Sequence, residues 1–170
     1  MLLDKSGALG PDPWRHRADD AAPDGDAPTT ISLARWHKER EFWAARQGKL
    51  GLILPNDAAP ETLAADIGRF ALVVLDFPRF TDGRAYSQAR LLRGRLGYRG
   101  ELRASGHVLR DQLLFMKRCG FDSFVVDAGR AAAENWPRAF GEFNLFYQPA
   151  NDGQPTVMRR RFGAWIQAAE

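Results

Sequence analysis

From Phe70 to Asp127 the chain repeats one pattern: a short apolar run, a helical stretch with an apolar stripe, then another apolar run. Ala71 to Asp76 is continuous and rich in Val and Leu, which suits a strand covered on both faces. Such runs recur with helices between them at about twenty-five residues per unit, the spacing of parallel strands joined by helical crossovers. The expected fold class is α/β, a mainly parallel sheet with alternating helices. Patterning admits either an open doubly wound sheet or a partial (β/α) barrel.

Residues 30–150 read as one α/β domain between an irregular arm, 1–29, and a tail, 151–170. Pro11, Pro13, Pro23, Gly25 and Pro28 break regular structure in the arm, and Trp14 is a candidate anchor to the body. Strands are expected at 30–33, 49–54, 71–76, 101–104, 123–127 and 143–147. Helices are expected at 34–46, 61–68, 83–96, 107–118 and 131–140, the last interrupted at Pro137. Thr81 or Asp82 suits the N-cap of the helix that opens at Gly83.

A chain of 170 residues is long enough to bury a core. The longest clean apolar run, Phe70 to Leu75, is far too short to cross a bilayer. Asp4 and Lys5 follow Met1-Leu2-Leu3 at once, so no secretory apolar region forms. A cytoplasmic location without a membrane partner is expected. Cys119, the single cysteine, excludes an internal disulfide, a CxxC redox pair and a thiolate-ligated cluster within one chain. Beside Phe115 and Met116 it reads as a small buried hydrophobe.

The formal charge of +3 conceals an asymmetry. The arm leans acidic through Asp12, Asp19, Asp20, Asp24 and Asp26, while residues 79–118 carry most of the basic side chains. That stretch reads either as a solvated helix surface or as a face that attracts an anion.

Ligands of parallel α/β folds bind at the carboxyl ends of the strands, where helix N-termini also point. Two segments there invite an anion. Thr81-Asp82-Gly83-Arg84 opens a helix, with Arg79 and Arg84 able to grip an oxyanion. Ser105-Gly106-His107 repeats the arrangement at the next helix, with Arg110 one turn in. The competing reading makes Thr81, Asp82 and Ser105 plain caps and pairs Arg84 and Arg110 with Asp82 and Asp111. Asp76 and Asp127 are the candidate acid–base groups; His107 as a base would need Asp111 or Asp127 to orient it. His16 and His37 lie far away in the chain, so no metal-ligand spacing is present. No GxGxxG turn, P-loop, HExxH or GxSxG occurs, and no cofactor is assigned.

The stretch Leu75-Asp76-Phe77-Pro78-Arg79-Phe80-Thr81-Asp82-Gly83-Arg84-Ala85-Tyr86, continuing to Arg93, closely resembles a bacterial family of unknown function. So do Gly100-Glu101-Leu102-Arg103-Ala104, Leu109-Arg110-Asp111-Gln112-Leu113 and Arg118-Cys119-Gly120-Phe121-Asp122, within a likeness running from about Trp14 to Gln148. Members are labelled as oxidoreductases of sulfite reduction. The resemblance implies a place beside sulfite reductase or another sulfur-assimilation enzyme, and it carries over no catalytic residue. Where His107 stands the family pattern often has an acidic residue, so the resemblance does not favour His107 as a catalyst.

The leading expectation is an accessory protein or oxidoreductase component of assimilatory sulfite reduction. It would bind an anionic small molecule or the reductase at the strand carboxyl ends. The alternative is an enzyme acting on a phosphorylated or sulfonated substrate. Nucleic acid is a poor fit, because Tyr86 and Tyr98 are the few aromatics within the basic stretch.

Overall fold

A computed structural model of the chain describes residues 1–22 and 25–167. Eight strands form one sheet: β1 Leu2–Asp4, β2 Leu9–Gly10, β3 Arg15–His16, β4 Thr29–Ser32, β5 Leu50–Leu54, β6 Leu72–Phe77, β7 Glu101–Gly106 and β8 Ser123–Val125. Its order is β2-β1-β8-β7-β6-β5-β4-β3, with β3 to β8 parallel and β1 and β2 added antiparallel at one end. The helices are α1 Leu33–Lys38, α2 Arg40–Ala45, α3 Arg84–Gly94, α4 Leu113–Cys119, α5 Ala128–Ala133 and α6 Val157–Gln167.

The expected α/β class holds, as a mixed half-barrel. From β3 to β8 neighbours in sequence are neighbours in space, so right-handed crossovers all fall on one side of the sheet. No reversal of order sends helices to the opposite side, as a doubly wound sheet requires. The burial pattern agrees. Leu52, Leu54, Val73, Leu75, Leu102, Ala104 and Phe124 join Ala85, Ala89, Leu92, Leu113 and Met116 of α3 and α4 in one core. Leu72 and Val74, pointing the other way along β6, are buried outside that cluster.

The arm departs most from its expected irregularity. It contributes β1, β2 and β3, and Leu3 is fully buried against the sheet. Seven inter-strand spacings separate β2 from β3, about 34 Å along the sheet. Five residue steps from Gly10 to Arg15 reach at most about 18 Å. A flat sheet cannot satisfy both lengths, so the sheet must curve until its edges approach. Residues 11–14 then run as a chord between those edges, and Trp14 anchors them as expected: a Cβ added at Gly51 would lie 3.1 Å from its indole.

Other expectations shift for local reasons. The helix over 34–46 divides at Glu39, whose side chain accepts from Arg35 Nε (3.0 Å) and Trp43 Nε1 (2.9 Å). The helix over 61–68 is two short 3-10 turns, Pro60–Leu63 and Ile67–Arg69. The segment at 143–147 is no strand; it makes a single bridge, Phe146 to Thr156. The helix over 131–140 divides before Pro137 rather than at it: α5 ends at Ala133, Asn135 turns the chain at φ 49°, and Pro137 sits in the first turn of a 3-10 segment, Trp136–Gly141. Pro23 and Asp24 of the arm and residues 168–170 of the tail lie outside the described residues.

Candidate functional site

The carboxyl ends of β6 and β7 carry most of the predicted residues. Asp76 and Ser105 stand opposite each other in the β6–β7 register, and the Ser105 hydroxyl donates to the Asp76 carboxylate at 2.9 Å. Gly106 follows at φ +83°, packed so closely that an added Cβ would lie 2.4 Å from the Phe77 carbonyl oxygen. That carbonyl accepts the backbone N–H of exposed His107 at 2.7 Å.

This pairing corrects the helix boundary expected after Ser105. Because β7 continues in register to Gly106, Ser105 lies in a strand rather than at a helix opening. The helical segment begins only with the 3-10 turn Arg110–Gln112, and α4 follows. Arg110 is therefore not one turn into a helix. Its Nε donates to the Glu134 carbonyl (3.0 Å) and its Nη2 pairs with Glu142 (2.5 Å), not with Asp111.

At the first segment the N-cap position of α3 falls on Gly83 rather than on Thr81 or Asp82, with no side-chain capping bond. Asp82 instead engages Arg84, accepting from its backbone N–H (3.2 Å), Nε (3.0 Å) and Nη2 (2.7 Å). Asn56 donates to the same carboxylate at 2.8 Å. The Arg84 guanidinium holds the Asp82 carboxyl down to about 2. Thr81 and Arg79 are exposed, and Arg79 has no ion pair among the described residues. Asp127 is an N-cap: its carboxylate accepts the Arg130 backbone N–H at 2.8 Å at the start of α5.

Much of the basic stretch is engaged internally. Arg93 donates to the Gly120, Tyr98 and Gly100 carbonyls and pairs with Asp122. Arg95 pairs with Glu61, and Arg118 with Asp152 at 2.8 Å. Arg103 is buried, its Nη1 donating to both Asp12 carboxylate oxygens at 2.8 Å and its Nη2 to Glu101 Oε1 at 2.9 Å. A continuous cationic track for a nucleic-acid backbone is therefore not presented by these side chains. Cys119 is buried, and desolvation pushes its thiol up to about 11, as suits a packing residue.

Sequence reasoning missed a cleft of about 270 Å³ between α4 and residues 139–146, walled by Arg110, Leu114, Phe115, Phe143, Leu145 and Phe146. Phe143 is 68% exposed and Phe115 51%. Gln112 Nε2 donates to the Phe80 carbonyl at 3.3 Å. The Arg118 guanidinium lies 3.6 Å from the Phe146 ring centroid. The signal was present in the aromatic spacing of 140–147, which reads as a strand only if a neighbouring strand pairs with it.

Among the described residues no three His, Cys, Asp or Glu side chains gather as a metal-binding group, and no helix is long and apolar enough to cross a membrane. No curated protein matches the chain. One family model matches residues 51–158, from β5 to the start of α6, which is more than half of the sequence. By that match the chain belongs to the family described as bacterial protein of unknown function (DUF934).

Proposed function

We propose that the protein is an accessory component of assimilatory sulfite reduction. In this reading it docks on the reductase, or on another sulfur-assimilation enzyme, through the aromatic face of α4 and residues 139–147. The observation that carries the docking is the gathering of Phe115, Phe143 and Leu145, each more than half exposed, around one cleft. Clustered aromatics left in water mark interaction surfaces, where aromatic side chains supply the buried anchors. Salt bridges already engage Arg110 and Arg118 at that cleft, so the face offers apolar contact more than charge. The pathway itself rests on the family likeness of residues 75–122. Any oxyanion would be received at Arg79 and the Gly83 helix opening, with Arg84 released from Asp82.

Affinity capture of the tagged chain from its native host tests the reading. A sulfur-assimilation enzyme should be recovered, and Phe143→Asp should abolish recovery without changing the melting temperature. Capture of no such enzyme, together with no melting shift from sulfite, sulfate or adenylyl sulfate, overturns it.

The Asp76–Ser105 contact at the strand ends favours the second reading, an enzyme acting on a phosphorylated or sulfonated substrate with Asp76 as its acid–base group. Metabolite profiling of a deletion strain separates the two, since that enzyme would leave its phosphorylated or sulfonated substrate to accumulate.

A further inference from the structure

At the end of the sheet opposite Asp76 and Ser105, the topology gathers four cations. Antiparallel pairing sets Asp4 against Ser123, so Lys5 leaves β1 beside Asp122 at the turn into β8. Arg93 comes from the last turn of α3, Arg99 from the turn before β7 and Lys117 from the last turn of α4. With Asp122 and Asp152 they wall a cleft of about 450 Å³, within the size range of small-molecule sites.

Charge in this cleft does not balance. Asp122 alone answers both Lys5, at 2.7 Å, and Arg93. Asp152 is taken by Arg118 at 2.8 Å. Arg99 and Lys117 have no ion pair among the described residues. The Lys117 ammonium lies 5.2 Å from the Phe140 ring centroid, a contact that leaves its charge in place. Counting Arg118, five cations face two carboxylates, an excess of three positive charges.

The floor of the cleft is already arranged. Gly120, at φ +109°, lets Arg93 lie across the chain, and an added Cβ would stand 2.6 Å from Arg93 Cγ. The guanidinium donates to the Gly120 (3.0 Å), Tyr98 (2.8 Å) and Gly100 (2.8 Å) carbonyls and to Asp122. Those bonds fix its plane and leave one N–H, on Nη2, without a partner among the described residues. Carbonyls at the end of α4, which would repel an anion, are occupied. Met116 and Lys117 accept the Phe121 and Gly120 N–H groups, and Arg118 accepts from Asn151 at 3.1 Å.

We propose that this cleft binds the diphosphate group of a small molecule, with Arg99 and Lys117 as free grips and Arg93 as the fixed donor at its floor. A guanidinium takes two phosphate oxygens side by side, and an ammonium acts as a point charge. The excess charge matches the roughly three negative charges of a terminal diphosphate better than the roughly two of a lone phosphate. The site rests neither on the docking face at Phe143 nor on the helix opening at Gly83.

Calorimetric titration of the full chain at about 50 mM salt, where screening is modest, uses pyrophosphate, ADP and inorganic phosphate as probes. Pyrophosphate and ADP should bind at least about tenfold tighter than phosphate, and Arg99→Gln/Lys117→Gln should weaken both by at least about tenfold. Arg79→Gln, at the other end of the sheet, should change neither. ADP binding tighter than pyrophosphate assigns the group to a nucleotide; equal or weaker binding assigns it to free diphosphate. No pyrophosphate binding, phosphate binding as tightly, a double variant equal to wild type, or an equal loss through Arg79→Gln overturns the proposal. Should the double variant not fold, amide spectra of the wild-type chain decide. Saturating pyrophosphate should move the Gly120 and Asn151 resonances and leave Gly83 in place; an unmoved Gly120 resonance refutes the site.

Discussion

Gly106→Ala tests the geometry at the carboxyl ends of β6 and β7, where the candidate residues converge. Two effects add at this position. Its φ of +83° lies in the left-handed region, where an alanine costs about 1–2 kcal/mol. The new Cβ would also stand 2.4 Å from the Phe77 carbonyl oxygen and 2.8 Å from Asp76 Oδ1. Relieving that overlap must loosen the 2.7 Å bond from His107 N–H to Phe77 and disturb the Ser105–Asp76 contact, each worth about 1 kcal/mol. The expected total is about 3–4 kcal/mol. Gly97→Ala is the control, because Gly97 has φ +64° with nothing within 4 Å of an added Cβ. It should lose only the backbone term, about 1–2 kcal/mol. Urea unfolding of both variants gives the difference as a change in midpoint at unchanged slope. A Gly106→Ala variant no less stable than Gly97→Ala would refute the close packing of Gly106 on Phe77.

Three further predictions follow from the same structure. Arg103→Met leaves Asp12 and Glu101 facing each other without their cation and should cost about 2–3 kcal/mol in urea unfolding, less than a fully buried pair because both carboxylates keep some exposure; a neutral or stabilising outcome would show that the cluster is not held through Arg103. The Cys119 thiol, raised to about 11 by burial, should stay unreactive towards a thiol-specific disulfide reagent at pH 8 and react stoichiometrically once urea unfolds the chain; rapid labelling of the native protein would contradict its burial. In acid, Asp82 is held at about 2 by Arg84, while Arg40 and Ser6 hold Asp66 and Asp4 below the ordinary carboxylate range. Each binds its proton more readily in the unfolded chain, so stability should be full above about pH 4 and fall progressively towards pH 2. Thermal melts flat across that window would count against these pairings.

Much of the architecture could be read from residue order. The apolar runs at 49–54 and 71–76, each followed by turn residues, pointed to strands within a parallel sheet, because both faces of such a strand must find cover, and β5 and β6 form there. The buried role of Cys119 and the pairing of Arg84 with Asp82 were also readable, since both depend on neighbours a few residues away. Local sequence could not decide where α4 begins or whether Phe143 to Tyr147 becomes a strand, because each depends on how far a neighbouring strand extends or whether one is present.

Taken alone, the sequence determined an α/β chain with a basic middle and an acidic start. Tertiary structure decided what those charges do. Arg103 sits in an alternating strand segment whose two faces look equally plausible until the sheet curves, and only the chord from Gly10 to Arg15 puts Asp12 over one of them. Residues 12 and 103 are 91 apart in the chain. No local pattern couples positions so distant; their meeting follows from the length of a short connection that must span a long sheet.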